Sequence, residues 1–315
     1  MGFYLIRRLG LMVLTLFGIS VVIFVLLRLV PGNIVDILFD SAGMVNPADK
    51  LRIEQELGLD KALPLQYASW IGGMMTGDLG YSYVSEKSAL AEIAPRIPVS
   101  ARLAGSALLF AVLIGVPLGV ISAVRQNTWL DYVLRVMSLS GLSLPSFWLG
   151  LLVLMGFVAL FGSVPIYTEP TKTFGEAALL VLVPAATVGF RSSALIMRLT
   201  RSSMLEILRQ DFIRTARAKG ASAGSVNYRH ALRNALLPVV TVIGMEAAFL
   251  AGGLIVTETV FNIPGLARFL VESIRNRDYP IVQNLVMLIA VVVVTINFLV
   301  DLLYAALDPR IRLSD

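Results

Sequence analysis

Six stretches of the chain are apolar over enough consecutive positions to cross a lipid bilayer as α-helices. A spanning helix needs about 20 mostly apolar residues, because the hydrocarbon core is about 30 Å thick and a helix rises 1.5 Å per residue. The first stretch ends at Pro31 and Gly32, and the fifth is rich in glycine, at Gly244, Gly252 and Gly253. The pattern predicts an all-α membrane protein with six transmembrane helices at residues 9–30 and about 102–124, 134–161, 177–199, 237–256 and 284–307.

Composition supports this class and excludes several others. Of the 315 residues, 57% are hydrophobic and only 15% are charged, whereas a soluble domain carries about 25% charged residues. The chain has no cysteine and one histidine, His230, which argues against thiolate chemistry and against a histidine-rich metal centre. It also lacks the G-x-x-x-x-G-K-[S/T] pattern of a nucleotide-binding loop. We therefore expect no cofactor in this chain, and any dependence on ATP must come from another chain.

Lysine and arginine are concentrated beside alternate ends of the six spans, which predicts their orientation. If these basic regions face the cytoplasm, both termini are cytoplasmic and residues 31–100 are extracytoplasmic. The last outer loop is slightly basic, which only weakly opposes this topology. The basic residues are Arg7, Arg8, Arg125, Arg310, Arg312 and a group of eight between the fourth and fifth spans: Arg198, Arg201, Arg209, Arg214, Arg217, Lys219, Arg229 and Arg233.

The pattern divides the chain into three parts. Residues 1–30 hold the N-terminus and first helix, since the apolar run is too long for a signal-peptide core and no small-x-small cleavage site follows it. Residues 31–100 are too long for a simple connector and predict a folded periplasmic cap, either a structural lid or a docking site for a partner. It should contain a helix from about Asn46 to Leu57, stopped by Gly58. Residues 101–315 form the five-helix core.

The cytoplasmic loop at residues 198–237 combines basic residues with apolar positions spaced by three and four, at Leu205, Leu208, Phe212 and Ile213. This spacing predicts an amphipathic helix near the membrane surface. Three explanations remain open at this point: topology alone, contact with anionic membrane lipid, or contact with a partner protein.

Ionisable residues inside the predicted spans are costly and are candidates for function. Arg191 in the fourth span and Glu246 in the fifth lie at similar predicted depths, about 10–12 Å from the inner boundary. We expect them to form an ion pair that holds the two helices together, with Asp301 of the sixth span as an alternative partner for Arg191. A role of this pair in transport is the less favoured interpretation.

Two other functional classes have less support. An intramembrane enzyme would need a reactive group of side chains, and His230 lies in a loop, not at membrane depth. An ATP-independent secondary transporter would usually show internal repeats and ion-coupling carboxylates, and no convincing repeat is present.

Several motifs together resemble the B-type permease subunits of the dipeptide, oligopeptide and nickel ABC importers. The stretches DFIRTARAKG at 211–220 and HALRNALLP at 230–238 resemble the EAA signature of these permeases. TETVFNIPGL at 257–266, RDYP at 277–280 and LVDLLYAALDPRIR at 299–312 continue the likeness, as do LGLDK at 57–61 and GDLGYS at 77–82. Arg214 and Thr215 replace the usual Glu and Ala, and the Pro-Gly-Asp-Pro after the first span reads Pro-Gly-Asn-Ile here.

The resemblance implies the type I ABC importer permease fold and a non-catalytic role in the bacterial inner membrane. It implies that a coupling helix sits in a groove of a cytoplasmic ATPase subunit, formed by Arg214, Thr215, Ala216, Arg217, Ala218, Lys219 and Gly220. The implied partners are a second, C-type permease, two ATPase subunits that bind ATP and Mg²⁺, and a periplasmic or lipid-anchored solute-binding protein. Membrane lipid surrounds the complex and nucleic acid is not a partner. Peptides are the expected solute, with glutathione, nickel chelates, opines or sugars as alternatives.

Overall fold

A computed structural model of the protein describes residues 2–29, 54–55, 58–82, 84–164, 166 and 174–307, which are almost entirely helical. A two-stranded antiparallel hairpin, with Tyr81 opposite Ser88, interrupts the helices. In chain order the elements are α1 (Gly2–Leu29), α2 (Leu63–Thr76), β1 (Tyr81–Ser82), β2 (Lys87–Ser88), α3 (Ala89–Ile93), a 3₁₀ turn (Ala94–Arg96), α4 (Ile97–Val124), α5 (Trp129–Ser143), α6 (Ser146–Phe161), α7 (Phe174–Leu208), α8 (Asp211–Ala218), a π-helix (Ser225–Leu232), α9 (Arg233–Gly252), α10 (Ile255–Val260), α11 (Leu266–Arg275) and α12 (Tyr279–Leu307).

The centre of the bundle is the close contact between α4 and α7, the most extensive helix pair among the described residues. Glycines on α4 make this contact possible. A Cβ atom at Gly115 would lie 2.7 Å from the Ser193 carbonyl oxygen, and one at Gly119 would lie 2.6 Å from the Thr200 Cβ. Because no side chain separates the two helices at these positions, their backbones approach closely enough for extensive van der Waals contact.

Five described helices are long and apolar enough to cross a membrane, and a bent pair supplies a sixth span if it is counted as one. The prediction of one continuous helix at 134–161 is wrong, because the chain bends by 109° between α5 and α6. The break falls at Leu144, which has the extended values φ −79° and ψ 129°. Pro145 explains it, since the proline ring disfavours helical geometry at the preceding residue.

The fourth span also differs from its prediction, since α7 continues to Leu208 and does not end near Leu199. Hydropathy indicates where the chain leaves the apolar core of the bilayer. The helix itself continues beyond that point as long as one of its faces packs against the rest of the protein. Met204, beyond the predicted end, is fully buried in a cluster with Val120 and Ala123 of α4. Much of the predicted loop at 198–237 is therefore helical.

The described part of residues 54–96 forms a small folded unit against α1 and α12. Trp70 Nε1 donates a hydrogen bond to Asn284 Oδ1 at 3.1 Å, and Asn284 Nδ2 donates to the Leu79 carbonyl at 2.6 Å. Tyr67 of α2 is 2.7 Å from the hydroxyl of Ser20 on α1. The helix predicted between Asn46 and Leu57 lies, apart from residues 54–55, outside the described residues.

Candidate functional site

The basic segment singled out in the sequence forms a short, exposed helix at one end of the bundle, which we call the α8 end. The order of its charges suits a helix, because Asp211 lies in the first turn and Arg217 in the last, opposite in sign to the helix-dipole ends that they face. Of the seven predicted coupling residues, six are exposed and Ala216 is partly buried: the exposed ones are Arg214, Thr215, Arg217, Ala218, Lys219 and Gly220. The structure therefore presents these side chains at the surface, where another chain can reach them.

One apolar residue anchors this exposed helix. Ile213 is fully buried and packs with residues from the ends of the long helices and from the π-helix: Val120, Ala123, Met204, Val226, Ala231 and Ala235. The exposed neighbour Phe212 does not share this burial. Ile213 thus joins α8 to a buried cluster that includes residues of α4, α7 and α9.

Gly220 ends the segment with a backbone conformation that favours glycine. Its φ is +81°, a region that costs other residues about 1 kcal/mol or more. Its N–H donates to the Arg217 carbonyl at 3.0 Å, and the next N–H, of Ala221, donates to the Ala216 carbonyl at 3.1 Å. These bonds satisfy two carbonyls at the end of α8 and direct the chain towards the π-helix.

A buried ion pair beside α8 was missed by the sequence analysis. Asp131, at the start of α5, is fully buried and accepts two hydrogen bonds from Arg201 of α7, from Nε at 2.8 Å and from Nη2 at 2.9 Å. It also accepts from the Ser122 hydroxyl at 2.6 Å and from the Asn127 backbone N–H at 2.9 Å. The bidentate geometry and the two further donors satisfy the carboxylate fully.

This Asp131–Arg201 clamp joins the start of α5, after the short turn that follows α4, to the extension of α7 that leads to α8. The sequence offered a weak signal for it. Arg201 counted only as one of many basic residues, and Asp131 lies in the short connection between the second and third predicted spans, where no motif singles it out. Nothing local in the sequence pairs two residues that are seventy positions apart.

The predicted ion pair between Arg191 and Glu246 is wrong in this structure. Glu246 is buried and its Oε2 accepts a hydrogen bond from the hydroxyl of Ser192, the residue after Arg191. The Arg191 guanidinium carbon lies 4.8 Å from the ring centre of Phe249. The two helices do contact each other at these residues, but consecutive residues on a helix point about 100° apart, so the neighbouring serine faces the acid.

The alternative pairing of Arg191 with Asp301 is also wrong, because Asp301 of α12 forms a salt bridge with Nη1 of Arg8 on α1 at 2.7 Å. Gly244 allows α9 and α12 to pack closely, because a Cβ atom there would overlap a methyl carbon of Val300 on α12.

Two buried acids hold together the opposite end of the bundle, which we call the cap end. Glu258 of α10 accepts hydrogen bonds from the Ser100 hydroxyl at 2.6 Å and from the backbone N–H of Arg268 at 2.8 Å. Asp278 accepts one from the Ser82 hydroxyl of β1. Burial raises the pKa of both carboxyls, and these hydrogen bonds oppose the rise.

The fold and this arrangement define a class before any relative is considered. The protein is a multi-span helical bundle. The cap end carries a small folded unit, and the α8 end carries a short basic helix that is exposed yet anchored to three long helices. None of the described side chains forms a cluster of three or more metal-binding His, Asp or Glu residues. The features are those of a multi-span membrane subunit with an exposed basic surface that another chain can reach.

Comparison with known proteins identifies the family. Residues 115–313 match the model of binding-protein-dependent transport system inner membrane components, and residues 1–104 match the N-terminal model of the same components. The chain belongs to this family and is a non-catalytic permease subunit of an ABC importer. The resemblance drawn from the sequence motifs is confirmed.

Curated relatives match almost end to end. The chain is 38% identical to a di/tripeptide transport system permease protein, DppB, of Pseudomonas aeruginosa and 39% identical to the dipeptide transport system permease protein DppB of Escherichia coli K12. In both cases the match covers 98% of each chain. The chain is also 40% identical to a glutathione transport system permease protein, GsiC, of Pectobacterium atrosepticum, again over 98% of each chain.

Proposed function

We propose that the protein is one of two different permease subunits of a bacterial importer of short peptides, with the solute pathway between it and its partner. The observation that carries this proposal is the end-to-end similarity to permeases named for dipeptide and di/tripeptide transport. The relative named for glutathione transport supports a second solute, which is itself a tripeptide with one γ-linkage. Both solutes are short peptides with free carboxylates.

The complex would lie in the inner membrane with the α8 end in the cytoplasm and the cap end outside. The abundance of arginine and lysine around α8 supports this orientation through the positive-inside rule. The second permease, two cytoplasmic ATPase subunits that hold ATP and Mg²⁺, and an extracytoplasmic solute-binding protein would complete the transporter.

In this proposal α8 transmits movement from an ATPase subunit to the spans. The exposed cations Arg214, Arg217 and Lys219 would meet acidic groups or backbone carbonyls in a groove of that subunit. Movement of the groove would pass through Ile213 to the ends of α4, α7 and α9, and the Asp131–Arg201 clamp would make α5 follow α7. The partners change the conformational equilibrium only through different affinities for its states.

Purification of the tagged chain in mild detergent tests the assembly, with the bound proteins identified by mass spectrometry. We expect a second permease and ATPase subunits, and ATP-dependent uptake of a labelled dipeptide after reconstitution with the binding protein. Recovery of the chain alone, with transport that needs no ATP, would instead support a secondary carrier.

Charge reversal tests the role of α8. The double variant Arg217→Glu, Lys219→Glu should reduce ATPase-subunit retention about tenfold or more, because it removes two attractive contacts and adds two repulsive ones. Its matched control makes the same charge change at the cap end, at the exposed Lys61 and Lys87, and should retain the ATPase subunits. Equal retention in both double variants would exclude α8 as the contact.

A further inference from the structure

Arg191 is a membrane-depth cation without a counterion among the described residues. It lies midway between Phe174 and Leu208, the ends of α7, so each end is about 25 Å away along the helix. Its guanidinium stacks near Phe249, 4.8 Å from the ring centre. The structure gives it no ion pair and no hydrogen bond to any described residue.

The acids that could neutralise Arg191 are engaged elsewhere. On the helices packed against α7, the described acids are Asp131, which pairs with Arg201, and Glu246, which is buried against Ser192. Asp301 of α12 pairs with Arg8. The described chain therefore supplies no carboxylate to Arg191.

A cation at this depth still requires water, an anion or another protein group beside it, because contact with lipid alone is costly. The aromatic ring of Phe249 supplies only about 0.5–2 kcal/mol of attraction. Arg191 is partly exposed, and the α9 face beside it is uncovered, with Phe249 49% and Met245 61% exposed. This face of α7 and α9 is open in the single chain and carries both a positive charge and an apolar surface.

We propose that Arg191, Phe249 and Met245 form a binding site in the solute pathway for the C-terminal carboxylate of the imported peptide. This inference rests on the proposed function, that the chain lines a pathway for short peptides. A guanidinium binds a carboxylate through two parallel hydrogen bonds. Phe249 and Met245 provide an apolar surface for the side chain of the terminal residue.

The proposed site suits passage of the peptide along the pathway and does not require that the peptide bind tightly. Every short peptide with a free C-terminus carries the same carboxylate, so the contact recognises the class of solute and tolerates different side chains. A pathway must also release its solute, which requires contacts that are weak enough to break. When no solute is bound, the ring of Phe249 holds the guanidinium in place.

Photocrosslinking of the complete complex tests the site directly. The probes are a dipeptide with a diazirine-bearing leucine at its C-terminus and the C-terminal amide of the same dipeptide, added without the binding protein, which would otherwise select between them. We expect the free acid to label the α7 and α9 peptides that contain Arg191 and Phe249. The amide should label them about tenfold less, since it lacks the charged hydrogen-bond partner.

Variants separate binding from structure. Arg191→Gln should reduce labelling by the free acid about tenfold, to the level of the amide, and Arg191→Lys should restore part of it. The matched control is Arg198→Gln, two turns further along α7, where the arginine is exposed. This control should label like the wild type, and all three variants should retain the partner subunits.

Each contrary outcome has a distinct meaning. Equal labelling by the acid and the amide, or unchanged labelling of Arg191→Gln, would overturn the site. Loss of the second permease from Arg191→Gln would overturn it too, by assigning the cation to the contact between the two permeases. If wild-type vesicles import no peptide, the proposed function fails. If they import peptide and Arg191→Gln imports equally well, the site alone fails.

Discussion

The two ends of the bundle stabilise buried carboxylates in different ways. At the α8 end, Asp131 is held by a guanidinium, with Arg201 Nε and Nη2 at 2.8 and 2.9 Å from its oxygens. At the cap end, Glu258 is held by a hydroxyl and a backbone N–H. One carboxylate is part of a charge pair, whereas the other depends on neutral donors.

The two ends also differ in where their charged side chains lie. The α8 end combines an internal ion pair, Asp131–Arg201, with exposed cations on the surface of α8. The cap end directs its acids inwards and uses them to join α4, α10 and α11, and to join β1 to the start of α12. In the proposed function, the α8 end receives the movement of a partner, whereas the buried acids of the cap end hold its own segments together.

The largest expected effect comes from breaking the clamp at the α8 end. Asp131→Ala leaves the Arg201 guanidinium unpaired while 17% exposed, and should cost about 3–5 kcal/mol. The melting midpoint of the purified complex in detergent measures it. As a control, Arg214→Gln breaks an exposed ion pair with Asp211 and should cost under about 1 kcal/mol. Equal midpoints for the two variants would show that the clamp is not needed for stability.

The second effect tests the close contact between α4 and α7 at the centre of the bundle, between the two ends. Gly119→Ala places a Cβ atom 2.6 Å from the Thr200 Cβ and 2.7 Å from the Met197 carbonyl oxygen. The required shift of α4 against α7 should cost about 1–3 kcal/mol. Gly105→Ala is the matched control, on the same helix with no other heavy atom within 4 Å. The prediction fails if both alanines leave the melting midpoint unchanged.

The third effect concerns the end of α8. Gly220→Ala should destabilise the local turn by about 1 kcal/mol, because its φ of +81° is strained for alanine although the space is open. Hydrogen exchange of the α8 amides should become several-fold faster, about fivefold for that free energy. Gly224→Ala is the control: its φ of −62° is helical, so exchange should stay equal or slow. Faster exchange in the control alone would contradict this reasoning.

The smallest effect is a pH dependence at the cap end. Burial raises the pKa of Glu258 above its ordinary value of 4.5, so the folded chain binds that proton more tightly than the unfolded chain. This stabilising contribution is complete below the ordinary pKa and is lost as pH rises through the raised pKa. Glu258→Gln cannot ionise and lacks the dependence. The midpoint of the wild type relative to Glu258→Gln should therefore fall as pH rises above 4.5 and through the raised pKa, and a constant difference would refute the assignment.

Much of the fold could be predicted because its signals are local. Apolar runs located the spans approximately, and the basic run at 211–220 contained α8. The break between α5 and α6 fell inside a span that was predicted as one continuous helix. The angle of the break was not predictable from hydropathy. A proline marks where a helix is interrupted, but the direction of the next helix depends on what it packs against.

The family resemblance located the candidate coupling residues, but it did not reveal how they are held. Ile213 was one apolar position among several in the sequence pattern, and only the folded chain shows that it is fully buried while Phe212 is exposed. Membrane proteins make such assignments harder, since apolar side chains face lipid as readily as they face the protein interior.

The sequence by itself therefore determined the class of protein, the approximate spans and the concentration of positive charge, because hydropathy, helix stops and charge act over a few neighbouring residues. Tertiary structure alone decided the partners of the charges: Ser192 and not Arg191 for Glu246, Arg8 for Asp301, and Arg201 for Asp131. The physical reason is helix rotation. A shift of one residue turns a side chain by about 100°, and that rotation is set by the packing of whole helix faces, not by the residues that form the pair.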